Sequence, residues 1–342
     1  MKPNPFFFPL ALLYGSAVRL RNLFFDIGIF ASVDVGVPVI SVGNLTAGGT
    51  GKTPIVREIA NLIQGSGKKT AVISRGYGRQ STGTVIVSDG TKILTDAKMS
   101  GDEPMMIAKG LPNIIVVVDE DRVRGARTAI DELGAEVIVL DDGFQHRRIR
   151  RTKNIVLMDA HHMPFDTMLL PAGFRREPMS SLNRADVVLV TKADDKESSE
   201  VLLNDERLSM IQKRFSSSFV PSGVKHCSGG VKQSLEILKG HSVIALCGIA
   251  SPDSFRKSIE SCGAVVKELF AFDDHHQFTR DEVEAVVASF RRHKADFILM
   301  TEKDGVRLSE MLGSFDHLPV SCLMMEVEFH QEALWKQFVL EA

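Results

Sequence analysis

The 342-residue chain has little excess charge of either sign, few cysteines and no long uncharged run, and each shortage argues against a class of function. Lys and Arg total 41 against 43 Asp and Glu. Bulk charge therefore gives no reason to expect nucleic-acid wrapping or an acidic partner, and electrostatic recognition has to be local. The four cysteines, Cys227, Cys247, Cys262 and Cys322, are widely spaced without a CxxC pair. They fit reduced thiols in a cytosolic protein better than a disulfide framework or a zinc site. No repeat at a solenoid period is visible. The uncharged run from Pro3 to Val18 is interrupted by prolines and falls short of the ~20 residues that a bilayer span needs.

From Leu10 the same segment reads as a surface helix. Leu13, Ala17, Leu20 and Phe24 share one face, while Ser16, Arg19, Asn22 and Asp26 lie on the other and Arg21 is nearby. Apolar and aromatic groups with cationic flanks suit a helix lying in the headgroup region of a membrane. The alternative is a first helix packed on its own domain. A cleaved signal peptide ranks below both, because a nucleotide loop follows directly.

Apolar β-branched runs at 37–42, 69–74, 113–120, 136–142, 154–160 and 185–194 alternate with helical segments. Continuous apolar runs mean strands buried on both faces, so the expected fold is α/β with a parallel sheet. The charged, Ser/Gly-rich text from Asp195 to Gly230 predicts a helix and then a connector. A second α/β series follows, with strands at 241–250, 263–272, 296–304 and 319–329. Within it Ser251-Pro252-Asp253 opens one helix, and Thr279 with Glu282 forms the capping box of another. These boundaries give a membrane-associated helix (1–30) within the first domain, a phosphate-loop domain (31–212) and a smaller α/β domain (213–342).

The stretch VGNLTAGGTGKTP (42–54) sits between a buried strand and a helix, where a phosphate loop must sit. Backbone N–H groups and the helix N-terminus would surround phosphate oxygens, Lys52 would reach the terminal phosphates, and the Thr53 hydroxyl would bind magnesium. Thr46 stands where the strict pattern has glycine, which changes the loop entry more than it removes a ligand. In EVIVLDDGFQHRRIRR, Asp141 and Asp142 end a strand at the sheet edge where magnesium must be held. His146, Arg147, Arg148, Arg150, Arg151 and Lys153 follow as a cationic cluster. SRGYGRQ (74–80) suits a loop contacting an anion or sugar through Arg75, Tyr77 and Arg79. SGDEP puts Asp102 and Glu103 at a helix start, where acidic residues also suit the helix dipole. DRVRGA and RREP add Arg122 and Glu177. In FDDHHQFT the two histidines lack converging metal ligands, so a general-base or orienting role is preferred.

In this order, GNLTAGGTGKTP, SRGYGR, SGDEP, DRVRGA, LDDGFQHRRIRR, REP, FDDHHQF and TEKD make the chain resemble the tetraacyldisaccharide 4′-kinases of lipid A biosynthesis over nearly its whole length. The resemblance implies a membrane-associated phosphate-loop kinase that transfers the ATP γ-phosphate to the 4′-hydroxyl of a tetraacylated glucosamine disaccharide 1-phosphate. It would work at the cytoplasmic face of the inner membrane, without nucleic acid or an obligate protein partner. The resemblance carries the ATP loop onto Thr46, Ala47, Gly48, Gly49, Thr50, Gly51, Lys52 and Thr53. Mg2+ falls to Thr53, Asp141, Asp142 and Glu177. Asp102 takes the place of the catalytic carboxylate and His275 of its dyad histidine, beside His276. Arg122 and His146 fall in the reacting-phosphate region and Tyr77 in a loop of the same site.

Three other readings remain at this point. VLVTKAD (188–194) resembles the guanine-reading motif of GTPases and metal-insertion chaperones. Dimeric ATPases with a signature lysine before the paired glycines are disfavoured, because that position is Ala47. A membrane-docked nucleotide-binding adaptor is the non-enzymatic alternative.

Overall fold

Because both faces of the first sheet are covered at its centre, the inner strands are buried along their whole length and largely apolar instead of alternating. The computed structural model describes residues 4–193, 195–227, 230–274, 276–312 and 318–341, and the chain divides into two units, Met1–Ser218 with Val327–Ala342 and Phe219–Glu326. In the first unit helix α1 (Phe8–Asp26) precedes β1 (Val39–Asn44), α2 (Lys52–Gly65), β2 (Thr70–Ser74) and β3 (Val85–Asp89). Then come α3 (Ala97–Ser100), α4 (Asp102–Gly110), β4 (Ile115–Val118), α5 (Arg122–Asp131), β5 (Val137–Asp141), β6 (Lys153–Asp159), β7 (Val187–Thr191), α6 (Lys196–Leu203) and β8 (Lys213–His226), which belongs to the second unit from Phe219 on. The strand order is β8-β7-β6-β1-β5-β2-β4-β3. The pairings from β8 to β4 are parallel, and only β3 at the edge runs antiparallel to its neighbour.

Strand β1 lies between β5 and β6, with Val42 opposite Asp141 and Asn44 opposite Leu157. The connection leaving β1 runs to β2 on one side, whereas that leaving its neighbour β6 runs to β7 on the other, which opens between them the crevice where α/β sheets bind ligands. The loop from Leu45 to Gly51 stands at that crevice, and α2 continues from it with Ile55, Val56, Ile59, Ala60 and Ile63 buried.

The second unit holds β9 (Ser242–Gly248), α7 (Pro252–Ser261), β10 (Val265–Phe272), α8 (Arg280–His293), β11 (Phe297–Thr301), α9 (Glu302–Leu312) and β12 (Val320–Phe329), the last running on into the first unit. Its order is β10-β9-β11-β12-β8. Helix α8 starts where expected. Thr279 Oγ1 accepts from the Glu282 N–H at 3.3 Å, and the Glu282 carboxylate accepts from the Thr279 N–H at 2.8 Å.

Two features differ from the sequence reading. The stretch read as a connector contains the 14-residue strand β8. It lacks an apolar signature because Ser216 and Ser217 occupy fully buried positions in it. Ser216 Oγ is satisfied by Ser199 Oγ at 3.0 Å and His330 Nδ1 at 3.0 Å. The final segment belongs to the first unit and not the second. There helix α10 (Glu332–Leu340) buries Trp335, which stacks on Phe329 at 4.8 Å and meets Phe215 edge-on at 5.5 Å. Lys153, at the start of β6, donates to the Phe338 carbonyl and so caps this helix with a cation. Trp335→Ala is expected to lower stability by about 3–5 kcal/mol, read from the denaturant midpoint by circular dichroism.

Candidate active site

Thr46 fits the loop entry because its backbone is in a bridge, where glycine offers no advantage. It pairs antiparallel with Arg175, the Ala47 N–H donates to the Phe174 carbonyl at 2.7 Å, and the Arg176 N–H donates to the Leu45 carbonyl at 2.7 Å. Positive φ is needed only farther on, at Gly48 (124°) and at Gly51 (76°), the residue preceding α2. Asn44 Nδ2 donates to Thr50 Oγ1 at 3.0 Å, and the Asn44 side-chain oxygen accepts from Arg176. Thr53, one residue into α2, is buried.

Strand β5 ends beside this loop with two carboxylates in opposite circumstances. Asp142, held at φ 50°, accepts a bidentate pair from Arg176 at 2.9 Å and 2.9 Å and lies 3.6 Å from Lys52 Nζ. Burial pushes its carboxyl up, but Lys52 and Arg176 outweigh this and hold it at about 2. Asp141 is 2 % exposed and receives one hydrogen bond, from Ser74 Oγ at 2.9 Å, while its Oδ1 has no partner. Burial pushes its carboxyl up to about 7, and the Glu103 and Asp142 carboxylates push the same way.

Other candidates surround this pair. Arg122, the first residue of α5, is 5 % exposed and its Nε has no partner. Burial lowers its guanidinium from the ordinary value, and Asp142 and Asp141 are the charges that counteract this most. Burial and then Arg122 push the His146 imidazole down to about 4, so it is neutral at physiological pH, with Nε2 unpartnered. The loop after β2 lies against α3, since the Gln80 N–H donates to the Lys98 carbonyl at 2.8 Å and Ser81 Oγ to the Met99 carbonyl at 2.5 Å. The backbone of the exposed Tyr77 also crowds Gly101, where a Cβ would lie 3.0 Å from the Tyr77 carbonyl oxygen, next to the half-buried Asp102 that opens α4. Arg79 is not available for an anion, because it donates to the Val118 and Gly83 carbonyls and pairs with Glu120 at 2.8 Å.

The basic run after β5 is dispersed and does not form one cluster. Arg147 pairs with Asp26 at 2.6 Å, Arg148 with Asp121 at 3.0 Å and Arg150 with Asp34 at 3.3 Å, whereas Arg151 donates to the Gly143 carbonyl at 2.9 Å. Glu177 is engaged by Arg184 at 2.8 Å and Asn22 at 3.0 Å, so its contacts tie α1 to the body. Helix α1 also hangs on Tyr14, whose hydroxyl donates to the Arg176 carbonyl at 2.8 Å. The helix thus turns Asn22 inward and leaves Leu10, Leu12, Leu13, Leu20 and Leu23 exposed, Leu13 by 69 %. Asn22, assigned by periodicity to a solvent-side polar face, is 7 % exposed. No helix among the described residues is long and apolar enough to cross a membrane.

His275 and Asp194 lie outside the described residues. His276 stacks on Phe272 at 4.7 Å and shares its Nε2 with the Glu282 carboxylate at 3.0 Å, which commits it to the α8 capping box. Sequence reasoning missed Arg176, Asn44 and Ser74. Arg176 sits beside the singled-out Glu177, but only the fold shows that Arg176 reaches Asp142. In protein free of metal and nucleotide, the folded state keeps the Asp141 proton up to about pH 7, while the unfolded chain releases it near 4. Stability from this residue is therefore lost as pH rises through that window. Asp141→Asn is expected to unfold about 2–4 °C above the parent at pH 8 in chelator, with the advantage shrinking below pH 7.

Comparison with known proteins fits this geometry. The family model described as Tetraacyldisaccharide-1-P 4'-kinase matches residues 4–342. The tetraacyldisaccharide 4'-kinase of Syntrophus aciditrophicus is 38% identical over 341 residues, covering 97% of this chain and 91% of that protein. That of Geobacter metallireducens is 40% identical over 319 residues, covering 93% and 92%. The crystal structure of LpxK from Aquifex aeolicus in complex with ATP has a TM-score of 0.78 at 31% identity, covering 98% of each chain. The chain belongs to the tetraacyldisaccharide-1-phosphate 4′-kinase family.

Proposed function

We propose that the chain transfers the γ-phosphate of ATP to the 4′-hydroxyl of a tetraacyldisaccharide 1-phosphate lipid, completing one step of lipid A biosynthesis, from a peripheral position on a membrane. The observation that carries the reading is the pairing of the glycine loop with a buried, half-satisfied Asp141 at the neighbouring strand end. Phosphoryl transfer asks a protein chiefly for charge neutralisation and in-line placement. The loop supplies N–H donors and Lys52. A separation of 3.6 Å from Asp142 is an ion pair beyond hydrogen-bond contact, so the ammonium can turn to a phosphate without breaking a tight bond.

The donor set suits magnesium, a hard cation that keeps water and phosphate oxygens around it. Among the described residues no three His, Cys, Asp or Glu side chains form a metal cluster. A site completed by nucleotide phosphates needs none. Thr53 and the unpartnered Oδ1 of Asp141 would hold Mg2+, which would neutralise charge on the β- and γ-phosphates. Asp142 then serves to orient Lys52 and Arg176, and Glu177 supports the segment that carries Arg176. Arg122 adds positive charge beside the acids, and the neutral His146 offers a hydrogen bond without competing for that charge.

The acceptor alcohol must lose a proton, and a lone aspartate with an ordinary pKa near ~3.9 is a weak base for it. Asp102 with a histidine partner answers this, the histidine orienting the carboxylate and sharing the arriving proton. His276 is occupied by Glu282, so His275 is the dyad candidate. The exposed leucines of α1 supply the surface on which the acyl chains and the bilayer interface would rest. Because the phosphate donor is ATP, we place the enzyme at the cytoplasmic face of the inner membrane. The family outweighs the GTPase and adaptor readings.

Label from γ-labelled ATP should appear on the lipid acceptor, while phosphate release from GTP without label on lipid would favour the switch reading. Asp102→Ala and His275→Ala should each lower kcat by about 10²–10⁴-fold, with the double variant little worse than either. Fully additive losses would sink the dyad. Leu13→Asp with Leu20→Asp should reduce sedimentation with anionic vesicles by about tenfold or more, and undiminished sedimentation removes α1 from the account.

A further inference from the structure

We infer that Thr191 and Lys192 at the end of β7, with Asp159 at the end of β6, form a positioning clamp that fixes the phosphate loop's backbone for the β-phosphate of the nucleotide. The inference rests on the nucleotide reading of the loop and assigns a task to the TKAD text that the kinase reaction leaves unused. Strands β6 and β7 end together, with Asp159 opposite Thr191. Lys192 Nζ donates to the Gly49 carbonyl at 2.5 Å and to Asp159 Oδ2 at 2.6 Å. The buried Thr191 hydroxyl donates to the Thr50 carbonyl at 2.8 Å. Asp159 is itself fixed, since its Oδ1 accepts from the His161 N–H at 3.0 Å.

Two consecutive loop carbonyls are thus pinned toward β7. In a trans peptide the carbonyl and the following N–H point in opposite directions. Holding the Gly49 and Thr50 carbonyls therefore sets the two N–H groups that follow: the Thr50 N–H donates to the Gly48 carbonyl at 3.2 Å within the loop, and the Gly51 N–H is fixed on the side away from β7. Such a restraint matters here because a Cβ at Gly48 or Gly49 would meet nothing within 4 Å, so no neighbouring atoms wall this turn on that side. A flipped peptide would present a carbonyl where phosphate needs a donor, and glycine makes flips cheap.

The backbone of Lys192 points the same way. Among the described residues, Asp142, Lys192 and Lys294 are the non-glycine residues with positive φ. Lys294 is a helix C-cap, where this is ordinary. The other two end strands β5 and β7, and their side chains reach Lys52 and Gly49 of the same loop. A conformation that side-chain-bearing residues rarely adopt is kept where it aims a side chain at the loop.

The test measures binding of ATP, ADP and AMP by calorimetry in the full-length protein, with phosphoryl transfer to the lipid acceptor measured alongside. For Lys192→Ala the Kd for ATP and ADP should rise about 10–100-fold and that for AMP less than about threefold, since charged hydrogen bonds of this kind carry that much. KM for ATP should rise while KM for the lipid stays put. Lys192→Arg should recover part of the loss. Thr191→Val, close in shape to threonine, should raise the ADP Kd by about 3–10-fold and serves if Lys192→Ala fails to fold. An ATP Kd within twofold of the parent, or an equal loss for AMP, overturns the clamp. Parent protein that binds ADP tightly but never labels lipid would refute the acceptor assignment and leave the clamp standing.

Discussion

Two adjacent carboxylates at a buried strand end cannot both stay charged unless cations are brought to them, and the first unit is arranged around that constraint. Asp142 receives Lys52 from the loop and Arg176 from the segment after β6 and stays ionised. Asp141 receives only a serine hydroxyl and is driven toward neutrality. The imbalance is useful in a phosphotransferase, because an acid short of positive charge is one that a divalent cation completes. The orphan oxygen of Asp141 therefore says more about the site than the satisfied neighbour does.

The departure at Thr46 has a similar explanation. A phosphate loop needs left-handed backbone only where it turns under the phosphates, at Gly48 and Gly51. Upstream the chain is an edge that pairs with residues 174–176, and a β-branched residue is at home there. The bridge also carries Arg176 to Asp142. One short antiparallel contact thus shapes the loop entry and delivers the counter-charge.

How much of this was legible beforehand depended on periodicity and adjacency. Buried parallel strands announce themselves through apolar runs, so the strands of the first sheet from β1 to β7, apart from the edge strand β3, were readable, as was the capping box of α8. Strand β8 was not, because serine hydroxyls paired with His330 take the place of apolar side chains. The phosphate loop and Asp141 with Asp142 could be named from local text. Arg176, Ser74 and Asn44 could not, since each acts across a long sequence separation that only the fold closes. The basic run after β5 misled for the same reason: neighbours in sequence diverged to Asp26, Asp121 and Asp34.

Arg176 holds Asp142 with its guanidinium while its own carbonyl accepts the Tyr14 hydroxyl, and the next residue, Glu177, holds Asn22. The apolar helix and the acid at the sheet edge are therefore joined by the span of one side chain. An acyl chain lying along α1 and a sugar hydroxyl near the acids would be a headgroup apart, so the substrate would not have to be lifted out of its two-dimensional phase to be phosphorylated.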